Sequence, residues 1–252
     1  MSELVFITGA TSGIGRACAE KFAANGARLI LTGRRADRLG ALAIEMKTKY
    51  NAVAYTLCFD VRNRDEVLKI ISGLPEEWRS IDILINNAGL ALGKESFDQS
   101  DIDDWETMMH TNVDGLLYVS RAVIPFMIER KKGHIINIGS IAGRQVYEGG
   151  SVYCASKAAV DAISQGMRID LMKHRIKVTL ISPGAVDTEF SLVRFKGDKQ
   201  KADKVYQGFK PLTAEDIAGP VHYCTQLPEH VCINELSLTP VQQASAYYYD
   251  KA

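Results

Sequence analysis

Tyr153 and Lys157 stand four positions apart and are the pair in this chain best suited to moving a proton. They fall in a stretch that predicts a helix, where residues four apart share a face, so phenol and ammonium address one site. A free phenol titrates at about 10, too high for brisk exchange at neutral pH. A neighbouring ammonium stabilises the phenolate and brings that value down. The spacing alone is common by chance, so its context decides. Ser140 directly follows a predicted strand at 134–139, at the carboxyl edge where open α/β sheets hold ligands. Asn112 stands at a break in a long helical stretch.

A second chemistry lies at the start of the chain. A predicted strand at 4–8 runs into Gly9, Ala10, Thr11, Ser12, Gly13, Ile14 and Gly15, then into a helix. Glycines there permit a tight turn and let backbone N–H groups approach a pyrophosphate at the positive helix end. The spacing is GxxxGxG rather than GxGxxG. Ser12 suits phosphate binding better than nucleophilic attack. The second strand ends in Thr32, Gly33, Arg34 and Arg35. A carboxylate at that point would bind the ribose 2′-hydroxyl of NAD. Two guanidinium groups instead offer charge-assisted contacts to a 2′-phosphate, so the pattern points to NADP(H).

These residues need a frame. Buried parallel strands are predicted at 4–8, 28–32, 53–59, 82–86, 134–139 and 177–182, with an edge strand at 236–239. Helices are predicted at 13–25, 36–49, 64–72, 102–132 with a break at 111–114, and 151–173. Asn25-Gly26 and Lys132-Gly133 read as helix stops. The alternation predicts an α/β fold, a Rossmann-type doubly wound parallel sheet with helices on both faces. Residues 184–212 are polar, aromatic and charged, too long for a connector, and read as a helical lid insertion over the site. With 252 residues and 46% hydrophobic content, the chain 1–252 reads as one domain.

Composition excludes other classes. Lys plus Arg and Asp plus Glu both number 30, so there is no basic excess for nucleic acid. Five cysteines at irregular spacing form no metal pattern and suit a reduced, cytoplasmic setting. His110, His134, His174, His222 and His230 lie apart, without ligand spacing, and no metal is expected. Asp103-Asp104 reads as helix capping. No run approaches the roughly 18 apolar residues of a membrane span.

Several of these motifs resemble the short-chain dehydrogenase/reductase family. Thr8 to Gly15 is similar to its TGxxxGxG loop, Asn86-Asn87-Ala88-Gly89 to its NNAG motif, and Asp60-Val61 to its adenine-side pair. Pro183-Gly184, with Val186 and Thr188 beyond, resembles its PGxxxT segment. Asn112, Ser140, Tyr153 and Lys157 match its catalytic tetrad in order. The resemblance implies that Ser140 orients the substrate oxygen and Tyr153 exchanges its proton. It also implies that Lys157 lowers the tyrosine's pKa and holds the nicotinamide ribose, and that Asn112 fixes a relay water. Segments 84–93, 188–198 and 227–234 resemble one subgroup, the NADP-dependent 3-hydroxy acid dehydrogenases. That implies L-serine, L-allo-threonine or 3-hydroxypropionate as small-molecule substrate, and a homotetramer.

Gln145 and Tyr147, following Ser140, are candidates for the substrate pocket. Arg194 is the candidate carboxylate ligand, with Arg144 its rival. The tail 242–252, with Tyr247, Tyr248 and Tyr249, carries no legible pattern; in a tetramer it would pack on a neighbour. Two other readings compete: an NADPH-dependent reductase of ketones or 3-oxoacyl thioesters, and an NADP(H)-sensing module without turnover.

Overall fold

The structure, a computed structural model, describes residues 2–251. Strand β1 (Leu4–Ile7) shows why the sheet must be covered on both sides. Val5 and Ile7 point to one face and Leu4 and Phe6 to the other, and all four are essentially without solvent contact. Strands β2 (Arg28–Gly33), β3 (Ala54–Cys58), β4 (Ile83–Asn86), β5 (Gly133–Ile138), β6 (Ile176–Pro183) and β7 (Glu235–Leu238) complete a seven-stranded parallel sheet. Its order is β3-β2-β1-β4-β5-β6-β7. The order reverses between β1 and β4, which opens a crevice at their carboxyl ends.

Helices α1 (Gly13–Ala24) and α2 (Ala36–Tyr50) cover the Val5 face, with Phe22, Leu39 and Met46 buried there. A helix the sequence reading does not include, here called α9 (Ala214–Thr225), joins them through Ile217 and Val221. Helices α3 (Arg64–Ser72), α5 (Gly115–Arg130) and α6 (Ser151–Leu171) cover the Phe6 face with Val67, Val123 and Leu171. The predicted break is a five-residue π-helical turn, His110–Asp114, between α4 (Ile102–Met109) and α5. Asn25-Gly26 ends α1 as expected, with Gly26 at φ +80°. At the other predicted stop Lys131 takes the left-handed position (φ 51°), while Gly133 opens β5. A Cβ on Gly133 would lie 2.8 Å from the Met127 Cγ, so close packing explains the glycine.

Beneath the site runs a buried polar row. The Asn86 Nδ2 donates to Ser120 Oγ and to Asn137 Oδ1, both at 2.9 Å, and the Asn137 Nδ2 donates to Ser164 Oγ at 2.9 Å. Segment 184–212 holds two short helices, α7 (Glu189–Arg194) and α8 (Lys199–Lys204). No helix among the described residues is long and apolar enough to cross a membrane.

Candidate active site

The phosphate loop is fixed by what cannot fit into it. Gly9 and Gly13 sit at φ +64° and +52°, and a Cβ on Gly15 would collide with the Gly9 carbonyl oxygen and Asn87 Nδ2. Thr8 Oγ1 accepts from the Asn87 and Ala88 backbone N–H groups at 2.9 Å, and Asn87 Nδ2 donates to the Thr8 and Gly9 carbonyls. These bonds tie the ends of β1 and β4 across the crevice. Ser12 starts α1 without capping it by its side chain, which leaves the helix start to an anion. Thr11, Ile14 and Gly15 complete the cradle, and residues and geometry together fit a dinucleotide pyrophosphate.

The 2′-phosphate end is less simple than two free arginines. Arg34 is exposed and reaches only Asp60, at 3.5 Å. Arg35 folds onto the loop, its Nη2 donating to Thr11 Oγ1 at 2.8 Å and Ser12 Oγ at 3.1 Å. The Asp60 carboxylate, expected on the adenine side, takes three hydrogen bonds from the Arg62 side chain and one from its backbone. Its neighbour Val61 is buried against Gly115.

The four catalytic candidates converge. Tyr153 and Lys157, on the first turns of α6, are both buried. Lys157 Nζ donates to the Ile138 carbonyl at 2.9 Å, and a Cβ on Gly89 would stand 3.5 Å from Nζ and 3.2 Å from Asn112 Oδ1. Asn112 Oδ1 accepts from Leu90 N, and its Nδ2 donates to Leu90 O and Ser156 Oγ. Its amide therefore locks the turn after β4 onto α6. Ser140 Oγ donates to the Pro183 carbonyl at 3.4 Å and accepts from Ala142 N.

Burial pushes the Tyr153 phenol well above its usual range; Tyr147 adds to this and the Ser140 hydroxyl opposes it. Burial lowers Lys157 to about 8. Burial is the largest influence on both groups.

Arg194 enters the pocket from α7. Its Nη1 donates to Tyr147 Oη and its Nε to the Gly93 carbonyl, both at 2.9 Å, and its guanidinium lies 5.4 Å from the Tyr147 ring centre. Phe190, from the same helix, meets the Tyr153 ring edge-on. The rival Arg144 is spoken for by Asp161 at 2.7 Å and Glu235 at 2.6 Å. Gln145 Oε1 accepts from Ala246 N and so holds the tail.

That tail folds onto its own chain. Gln243 is buried, its Oε1 accepting from Ala185 N and its Nε2 donating to Tyr249 Oη, while Tyr247 and Tyr248 face outward. Gln243 also fills the space beside Gly184. Val186 pairs with Leu212, and Thr188 caps α7 within 3.3 Å of where a Gly13 Cβ would be. Sequence reasoning missed Gln243, Arg38 and Glu189.

Residues 3–198 match the family model described as short chain dehydrogenase. The chain is 49% identical over 244 residues to the NADP-dependent 3-hydroxy acid dehydrogenase YdfG of Salmonella typhi, covering 96% of this chain and 97% of that one. It is 45% identical over 246 residues to the serine 3-dehydrogenase of Rhizobium radiobacter, covering 98% and 97%. Among solved structures, the closed form of serine dehydrogenase complexed with NADP+ superposes with a TM-score of 0.92 at 47% identity, covering 99% of each chain.

Proposed function

The chain belongs to the short-chain dehydrogenase family, and from that premise we propose that its substrate is a small 3-hydroxy acid such as L-serine, L-allo-threonine or 3-hydroxypropionate. It is an NADP-dependent oxidoreductase acting on CH–OH groups. The observation that carries the substrate reading is Arg194. This partly buried guanidinium stands beside Tyr147 and Tyr153, and its partners are a hydroxyl and two carbonyls. Among the described residues it pairs with no carboxylate. A small hydroxy acid has little apolar surface, so a guanidinium with its charge unneutralised is the group to hold its carboxylate.

In this reading Ser140 orients the substrate oxygen and Tyr153 exchanges its proton. Lys157 holds the nicotinamide ribose, alongside the backbone of Asn87, Ala88 and Gly89. Gly9 through Gly15 hold the pyrophosphate, Arg34 and Arg35 the 2′-phosphate, Asp60 and Val61 the adenine side, and Pro183 through Thr188 the nicotinamide. Bound NADP(H) supplies or accepts the hydride. Tyr153, kept protonated by burial, is ready as donor for carbonyl reduction; oxidation needs it deprotonated and so gains with rising pH. Chain 1–252 acts as one domain with 184–212 as its lid, and the family resemblance supports a cytoplasmic homotetramer. Trp105 and Phe190, packed on the apolar cluster that contains Tyr153, favour an NADPH-dependent reductase of ketones or 3-oxoacyl thioesters as a second reading.

The test is NADP+ reduction with serine, allo-threonine, 3-hydroxypropionate and matched uncharged alcohols. Preference for the acids by an order of magnitude or more in kcat/KM is expected, since about 1.4 kcal/mol is tenfold. Equal use of uncharged alcohols would overturn the reading.

A further inference from the structure

Glu189 is the first residue of α7, and its side chain points away from the pocket that Arg194 enters. It reaches the start of α2, where Arg38 Nη1 donates to both of its carboxylate oxygens, at 2.8 and 3.1 Å. Arg35 Nη1 donates to the same carboxylate at 3.2 Å. The rest of the Arg35 fork is spread over the phosphate loop: Nε on Thr11 Oγ1 at 3.2 Å, Nη2 on Thr11 and Ser12. One continuous set of hydrogen bonds thus runs from segment 184–212 to the loop that cradles the pyrophosphate, and Glu189 and Arg35 are 154 positions apart in the chain. Arg34, with only its distant contact to Asp60, has no comparable restraint.

A lone surface ion pair contributes little. Here, however, one carboxylate is shared by two arginines, and one of these is anchored on two loop hydroxyls. A free arginine side chain loses rotamer entropy when it is ordered, so a fork held in place before the ligand arrives binds a phosphate at lower cost than a free one. Burial pushes the Glu189 carboxyl up, but hydrogen bonds from Arg38 and Arg35 outweigh it and hold the group below the usual carboxylate range. It is anionic at neutral pH.

We propose that Glu189 is a positioning residue for cofactor selection, which holds the Arg35 fork against Thr11 and Ser12 so that the 2′-phosphate of NADP(H) meets a fixed guanidinium. Segment 184–212 then contributes at both ends of the cleft, to substrate through Arg194 and to cofactor choice through Glu189. The inference rests on the reading of Arg35 as a 2′-phosphate ligand.

The experiment compares NADPH and NADH affinity and kinetics in the full chain. Glu189→Gln should weaken NADPH about three- to tenfold, the scale of one charged contact. NADH should stay within about twofold, and the change should fall on the cofactor KM rather than on kcat. Glu189→Asp should recover part of the loss, and in an Arg35→Ala background Glu189→Gln should have no further effect on NADPH. Equal weakening of both cofactors, no weakening of either, or tighter NADPH binding would overturn the proposal; the last would mean that Glu189 competes with the phosphate for the arginines. Arg35→Ala alone separates the two claims. If it leaves discrimination between NADPH and NADH intact, the reading of Arg35 fails. If it abolishes discrimination while Glu189→Gln is silent, only the role of Glu189 fails.

Discussion

The two ends of the cleft are built on different principles. At the phosphate end, shape is set by backbone: Gly9 and Gly13 hold left-handed dihedrals, and Gly15 has no room for a Cβ. At the substrate end, shape is set by long side chains that reach across the fold. Arg194 binds the Gly93 carbonyl 101 positions away and the Tyr147 hydroxyl 47 positions away. A backbone-built site is rigid and tied to one ligand class, because every change of residue meets a steric wall. A side-chain-built site changes its ligand by exchanging a few residues, which is how one fold comes to serve many substrates.

That contrast is open to direct test. The largest effect should come from Tyr153→Phe, which removes one oxygen and keeps the ring: turnover should fall by about two to four orders of magnitude, with NADPH binding by fluorescence unchanged. Turnover near wild type would remove Tyr153 from the chemistry. Gly15→Ala comes next. Its methyl collides with the Gly9 carbonyl, and overpacking of that kind costs about 1–3 kcal/mol. NADPH and NADH should both weaken by about tenfold or more, since the pyrophosphate is common to them. A silent Gly15→Ala would mean that the loop yields and the steric account is wrong.

Arg194→Leu should raise the KM for serine or 3-hydroxypropionate by about tenfold. An uncharged alcohol should be used as before, and Arg144→Leu should leave the acid KM close to wild type. The reverse pattern would move the carboxylate site to the loop after Ser140.

A further effect, read in stability rather than in kinetics, concerns β5, which leads into Ser140. His134 is buried there, with Nε2 against Thr179 Oγ1 at 2.7 Å, and burial lowers it to about 3. The folded state refuses a proton that the unfolded chain accepts below about 6.5. Its contribution is therefore complete above that value and declines as pH falls toward 3, by at most about 1.4 kcal/mol per unit. Urea midpoints between pH 7 and pH 4 should fall less steeply in His134→Gln than in the parent; parallel slopes would contradict the assignment.

What was legible in the sequence follows the same division. Local spacing shows the glycine loop, the Tyr153–Lys157 pair and the strand rhythm, because sterics and periodicity act within a few residues. The break at 111–114 was visible too, and it is a π-helical turn. Helix α9 was missed although Thr213 and Asp216 form a capping box, since Gly219-Pro220 reads as a loop signal. The partners of Arg144, Gln145 and Glu189 were not legible. Each depends on which distant groups folding brings together, and an arginine carries no local mark of whether Asp161, Glu235 or a substrate will face it. The raised Tyr153 pKa was hidden for a related reason, since desolvation is a property of the packed whole.

The polar row under the site has a consequence for accuracy of assembly. Asn86 and Asn137 are register partners in β4 and β5, surrounded by isoleucines and leucines that would tolerate a slipped pairing. A slip of either strand by one residue turns its amide to the opposite face, away from Ser120 or Ser164, and a buried amide left unpaired costs about 1–3 kcal/mol. The row therefore works as a key against misregistration. The next residue after β4 is Asn87, and two residues after β5 comes Ser140, so the offset between cofactor loop and catalytic serine is enforced by side chains that never meet a ligand.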